Sequence, residues 1–138
     1  MIKIEIVDDL IDPFLSHDGR LEQGSELMFN GRVRSMENDQ KIIALEYEQY
    51  EGMAESELKM IAQEVCQKYP ITDLFCKHRI GTVAVGETSL HVVIWSKHRK
   101  EGLDSMTFFL GELKKRVPIW KWAILQDGTK IPSDCTHS

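Results

Sequence analysis

The chain has 138 residues, with 22 acidic side chains against 17 basic ones and a formal net charge of −5. That balance argues against a general nucleic-acid or anionic-membrane surface, so any anion site has to be a local cluster of cations. The three cysteines (Cys66, Cys76, Cys135) are odd in number and widely spaced, the five histidines lack a ligand spacing such as HExxH, and no apolar run approaches the ~20 residues of a membrane span.

No disulfide staple, metal centre, cofactor or membrane partner is therefore expected, and the acidic, alternating start MIKIEIVDDLID is neither a secretory signal nor a transit peptide. A reducing cytoplasm fits this pattern. The length suits one domain, residues 1–138, able to bury roughly two-thirds of its unfolded surface.

Ile2, Ile4 and Ile6 alternate with Lys3 and Glu5, predicting a half-buried strand that ends at Asp8 and Asp9. Turn chemistry at Asp12-Pro13 and His17-Asp18-Gly19 leads to a second strand from Glu26 to Arg34. Arg34 stands where that strand exits into Ser35 to Gln40, a position from which a guanidinium reaches a phosphate or simply ends a strand. A third strand spans Lys41 to Tyr50, with Ile43, Leu45 and Tyr47 on one face.

After Gly52 the period changes. Ala54, Leu58, Ile61, Val65 and Tyr69 form one stripe on a helix from about Met53 to Tyr69, which Pro70 ends. Leu74 to Ile80 reads as a strand and Gly81 to Thr88 as a connection. Ser89 to Ser96 then reads as a central, two-sided antiparallel partner. It runs into Lys97, His98 and Arg99 before a second helix. Amides at a helix start suit an anion there, although His98 could equally cap or pack.

On the second helix Leu103, Met106, Leu110, Leu113 and Val117 recur at spacings of three and four, and Pro118 stops it, so Lys114, Lys115 and Arg116 fall in the last turn. Cations there complement the helix dipole and commonly do no more. Lys121 lies between Trp120 and Trp122 in a strand from Ile119 to Leu125, either as a snorkelling surface lysine or as an amine among indoles kept ready for chemistry. The element order β-β-β-α-β-β-α-β predicts an α+β fold with two main helices.

Four separated motifs, GRVR (Gly31 to Arg34), HRIG with VGE (His78 to Gly81, Val85 to Glu87), SKHR (Ser96 to Arg99) and LKKRVPIWK (Leu113 to Lys121), together resemble the catalytic, large subunit of molybdopterin synthase. The resemblance covers about Glu26 to Lys121. It implies an α/β hammerhead with a small antiparallel β subdomain, and a sulfurtransferase acting in molybdenum cofactor biosynthesis on cyclic pyranopterin monophosphate. It also implies a sulfur donor, the C-terminal Gly-Gly thiocarboxylate of a small ubiquitin-like partner subunit, and a homodimer at the centre of a heterotetramer.

Residue by residue, the resemblance makes Lys114 and Lys121 the active-site lysines and matches Arg34, His98 and Arg99 to residues meeting substrate; Lys115 and Arg116 of the same basic turn, and Lys130 as a basic candidate in the tail, join the residues expected to bind substrate. The types suit the task, because two anions must be brought together and fixed cations lower that cost. A lysine can polarise a leaving oxygen or, when deprotonated, act as base or transient acyl acceptor. His78 and Arg79 read as structural.

Three departures accompany the likeness: Ala123 stands where an acidic residue is usual, SMENDQ lacks a customary glycine, and the tail DGTKIPSDCTHS is short. They keep open a non-catalytic family member that docks a ubiquitin-like tail or a pterin without sulfur transfer.

Overall fold

A computed structural model describes residues 1–12 and 20–133; Pro13, the His17-Asp18-Gly19 turn and Cys135 lie outside them. Strands β1 (Ile2–Val7), β5 (Ile71–Arg79), β7 (Thr88–Ser96) and β2 (Ser25–Arg32) form one mixed sheet in the order β1-β5-β7-β2. β1 runs parallel to β5, and the other pairs are antiparallel. β7 is internal and nearly wholly buried, as its continuous apolar run predicts.

Helices α1 (Met53–Lys68) and α2 (Arg99–Arg116) pack on this sheet. α1 buries Ala54, Leu58, Ile61, Ala62 and Val65, each large aliphatic side chain contributing about 1.5–3 kcal/mol. Gly52 begins it at φ 83°, a left-handed conformation that a side chain would strain.

The apolar stripe of α2 packs on the core from Met106 through Leu110 and Leu113 to Val117 but not at its first turn. Leu103 is exposed, whereas Gly102, Ser105, Met106 and Phe109 are buried. A Cβ at Gly102 would stand 3.1 Å from Ser96 Oγ and 3.2 Å from Ser25 Oγ, so small residues let the helix approach β7 and β2 closely.

The second sheet is antiparallel and holds β3 (Met36–Glu37), β4 (Gln40–Gln49), β8 (Ile119–Leu125) and β9 (Lys130–Ser133), with β6 (Gly81–Ala84) also on β4. Three of these strands depart from the sequence reading: the connection 81–88 contains β6, and β3 and β9 fall in segments expected to be loop or tail. β3 and β4 are joined through Asn38 and Asp39, both at positive φ, the residue types that tolerate the left-handed region of a tight hairpin.

A register shift between Ile42 and Ala44 turns Ile43 outward and buries Ile42, so the expected face of Ile43, Leu45 and Tyr47 holds only from Leu45 onward. Val33, Ile42, Leu45, Val83 and Ala123 form a second small core under this sheet. The carboxylate of Glu37 on β3 accepts a hydrogen bond from Ser133 Oγ on β9 at 2.7 Å. The sheet therefore curls until its two outermost strands meet. The result is an α+β fold, a two-helix hammerhead layer joined to an antiparallel β subdomain.

Candidate functional site

The Val117–Pro118 corner links α2 to β8 and separates the two lysines. The Val117 amide donates to the Leu113 carbonyl at 3.1 Å to end the helix, and the Pro118 carbonyl accepts from the Tyr50 amide at 3.0 Å, fixing the corner against the end of β4. Lys114 and Lys115 are exposed in the last helical turn, Lys115 beside Glu112 at 3.7 Å. Lys121 lies just beyond the corner on β8.

Alternation along β8 places Lys121 away from its sequence neighbours, against the expectation of an amine among indoles. Trp120 and Trp122 share the outer face with Glu46 and Glu48, their cross-strand partners on β4. Both indole N–H groups donate to Glu48 Oε1, at 3.1 Å and 2.5 Å. These bonds, that from Trp122 first, hold the Glu48 carboxyl below the usual carboxylate range. Lys121 faces the other way, with Leu45, Tyr47 and Ala123. Its Nζ lies over the Tyr47 ring, 5.9 Å from the centroid, and that ring meets His78 of β5 edge-on at 5.5 Å. Burial pushes the His78 imidazole down to about 4, and the charge of Lys121 acts in the same direction against the opposing hydrogen bond to Arg79.

The remaining cations divide into three groups. Arg34 lies two residues past the end of β2, two-thirds exposed, with Nη2 3.5 Å from buried Glu37 Oε1. It therefore stands at the seam where β3 meets β9, and Ser133 of that seam is the β9 partner of Lys121. His98 and Arg99 open α2. The Ser96 hydroxyl donates to the His98 carbonyl at 2.6 Å, and the exposed His98 ring lies 3.6 Å from Glu101.

Arg116 and Lys130 are engaged elsewhere. Arg116 donates from Nε to Glu57, from Nη1 to Glu64 and Glu112, and from Nη2 to Glu64, so it fastens α2 to α1. The Glu64 and Glu57 hydrogen bonds hold its guanidinium even further above neutrality than usual. Lys130 donates to Glu46 at 2.7 Å and lies over Trp122, on the face opposite Lys121. In the structure both cations are held by carboxylates, Arg116 between the two helices and Lys130 on the outer face of the β subdomain.

The sequence reading placed Tyr47 on a strand face without a role, took His78 as structural and did not single out Glu37. Strand alternation could have found Tyr47. The contacts of His78 and Glu37 join strands far apart in the chain and leave no local signal. Arg79, expected to be structural, bonds Glu87 at 3.0 Å and the Thr82 carbonyl and braces the β6–β7 turn. Among the described residues no group of histidine, cysteine or acidic side chains is arranged to hold a metal, and no helix is long and apolar enough to cross a membrane.

The MoaE protein family model matches residues 5–116. The molybdopterin synthase catalytic subunit of Pyrococcus abyssi is 38% identical over 76% of this chain and 71% of its own length. The one from Thermoplasma volcanium is 34% identical over 91% and 93% respectively. Molybdopterin synthase from Staphylococcus aureus, a solved structure, superposes with a TM-score of 0.80 at 33% identity, over 91% of this chain and 93% of that one. With the two-layer fold, the matched residues and near-full coverage in agreement, the chain belongs to the MoaE family, whose members include the molybdopterin synthase catalytic subunits.

Proposed function

We propose that the chain transfers two sulfur atoms, one from each of two successive C-terminal Gly-Gly thiocarboxylates of a small ubiquitin-like partner subunit, to cyclic pyranopterin monophosphate, forming the molybdopterin dithiolene in the cytoplasm. The observation that carries this reading is the placement of Lys114 and Lys121 on either side of the fixed Val117–Pro118 corner in a member of this family. Lys114 faces the thiocarboxylate and Lys121 the pterin end. Positive charge on each offsets the repulsion between the two anions, and as the thiocarboxylate sulfur forms its bond to carbon and a carbon–oxygen bond breaks, the lysine ammonium at the pterin end stabilises the charge on the departing oxygen. Arg34 supplies a planar donor set for the phosphate, and Lys115 adds field.

His98 and Arg99 require a second copy of the chain if they serve the same site. Arg99 and Lys114 lie 15 residues apart on one straight helix, ~22 Å along its axis, too far for one substrate of this size to bridge. A homodimer that brings the start of α2 from one protomer to the end of α2 in its partner solves the geometry, and this favours the paired large subunits of a heterotetramer.

The experiment is single-turnover formation of molybdopterin by the full chain with a thiocarboxylated partner. Wild type is expected to give product, and Lys121→Ala and Lys114→Ala little or none. A second reading, docking without transfer, is favoured by Ala123, which is 1% exposed and packed where it offers no acid beside Lys121. Binding of the partner without product supports that reading instead.

A further inference from the structure

We propose that Tyr47 and His78 are positioning residues for Lys121, a cross-sheet brace that holds its ammonium in one place. The inference rests on the reading of Lys121 as a site residue and goes beyond it. Lys121 and Tyr47 are directly opposed in the β4–β8 register, and the ammonium stands over the ring face. A strand lysine otherwise keeps several rotamers of similar energy, and an aromatic face favours those that bring the charge onto it.

The ring is itself held. His78 comes from β5 in the other sheet and meets Tyr47 at an interplanar angle of 73°, the edge-to-face geometry that aromatic pairs prefer. His78 is 6% exposed, and its Nδ1 lies 2.9 Å from the Arg79 carbonyl, so Nδ1–H donates and the tautomer is set. A neutral ring at this position can be buried beside a lysine, whereas a second cation would push the ammonium away. The contact thus ties Lys121, on the antiparallel sheet, to the mixed sheet through two rings.

The chemistry explains the choice of an aromatic over a carboxylate here. An acid at Tyr47 would also attract the ammonium, but it would neutralise the charge that an incoming anion needs. A quadrupole orients the ammonium and leaves its net charge available.

The test uses the full chain labelled with 13C at the lysine ε-carbon, the Lys121 resonance being assigned by Lys121→Arg, beside steady-state kinetics with thiocarboxylated partner. In wild type the Lys121 signal is displaced from the solvent-exposed lysines by the Tyr47 ring current. Tyr47→Leu returns it to them and lowers kcat about tenfold with KM changed less than about twofold, the loss a released ~1.4 kcal/mol contact gives. Tyr47→Phe keeps the face and recovers both the shift and the rate, and His78→Asn broadens the signal as the ring loses its support.

A Lys121 signal among the exposed lysines in wild type, or one unmoved by Tyr47→Leu, overturns the brace. If His78→Asn does not fold, the two Tyr47 variants decide alone. A displaced signal in a protein that makes no product defeats the sulfur-transfer reading and leaves the brace standing; turnover with an undisplaced signal does the reverse.

Discussion

Arg116 and Glu64 face each other fork to fork, Nη1 to Oε1 at 3.0 Å and Nη2 to Oε2 at 2.8 Å. Two parallel charge-assisted bonds fix both planes, and Glu57 and Glu112 occupy further donors of the same guanidinium. Arg116→Ala is therefore expected to lower Tm by a few degrees, with Lys114 and Lys121 chemistry largely kept below the new transition. Arg116→Lys should recover only part of the loss, because an ammonium cannot form the bidentate pair. Scanning calorimetry beside turnover checks this; a large fall in substrate affinity at unchanged Tm would instead give Arg116 a role against substrate.

Complementation tests whether two protomers share a site. Lys121→Ala and Arg99→Ala homodimers should each be nearly inactive. After mixing and reassembly, half the dimers are hybrid and each has one intact site, so about a quarter of wild-type activity should appear. No recovery, with subunit exchange demonstrated by mass spectrometry, would place Arg99 and Lys121 in the site of one protomer, and an active Arg99→Ala homodimer would place Arg99 outside the reaction.

His78 makes stability depend on pH. Its folded-state pKa is pushed down to about 4 from the ordinary 6.5, first by burial. The unfolded chain therefore binds the extra proton before the folded one does. The stabilisation is full above pH 6.5 and is lost as pH falls toward 4, amounting to on the order of 3 kcal/mol over that window. Urea unfolding from pH 7.5 to 4.5 should show this slope, and His78→Asn should remove its share of it.

Gly24 is a third place where the fold supports the site. A Cβ there would stand 2.8 Å from the Lys97 carbonyl oxygen, and that oxygen is backbone that cannot swing aside. Gly24→Ala is expected to cost about 1–3 kcal/mol and to displace the segment that presents His98 and Arg99. Urea unfolding measures the first effect, and KM, rising more than kcat falls, the second.

The helices were legible because their ends are chemical. Pro70 and Pro118 stop α1 and α2, and lysine or arginine fills each last turn. β7 was legible because it is apolar on both faces. β3, β6 and β9 were not, since strands of two to four residues are too short for alternation to stand out, and Pro132 in β9 is tolerated only because that strand is an edge.

On α2 periodicity found the stripe from Met106 to Val117 and missed only its first turn, where Leu103 is exposed and Gly102 and Ser105 are buried, residues that no hydrophobic pattern selects. At the site, the motifs named the cations and said nothing of their company. That Arg116 meets two carboxylates of the other helix, and Lys121 a tyrosine backed by a histidine, follows from long-range contacts.

The outward pair of indoles on β8 has an optical consequence. Trp120 and Trp122 share one carboxylate on the face turned away from Lys121, while Trp95 is buried in the other sheet against Phe75, its N–H given to Glu26. Trp120 is exposed and Trp122 half-buried, whereas Trp95 is buried, and solvent-facing indoles emit to the red of buried ones, so the two sheets carry spectrally distinct reporters. The red component watches the very strand that holds the lysine, yet from behind. A substrate entering on the lysine side should leave that emission nearly still, while loosening of the β subdomain should change it before Trp95 responds.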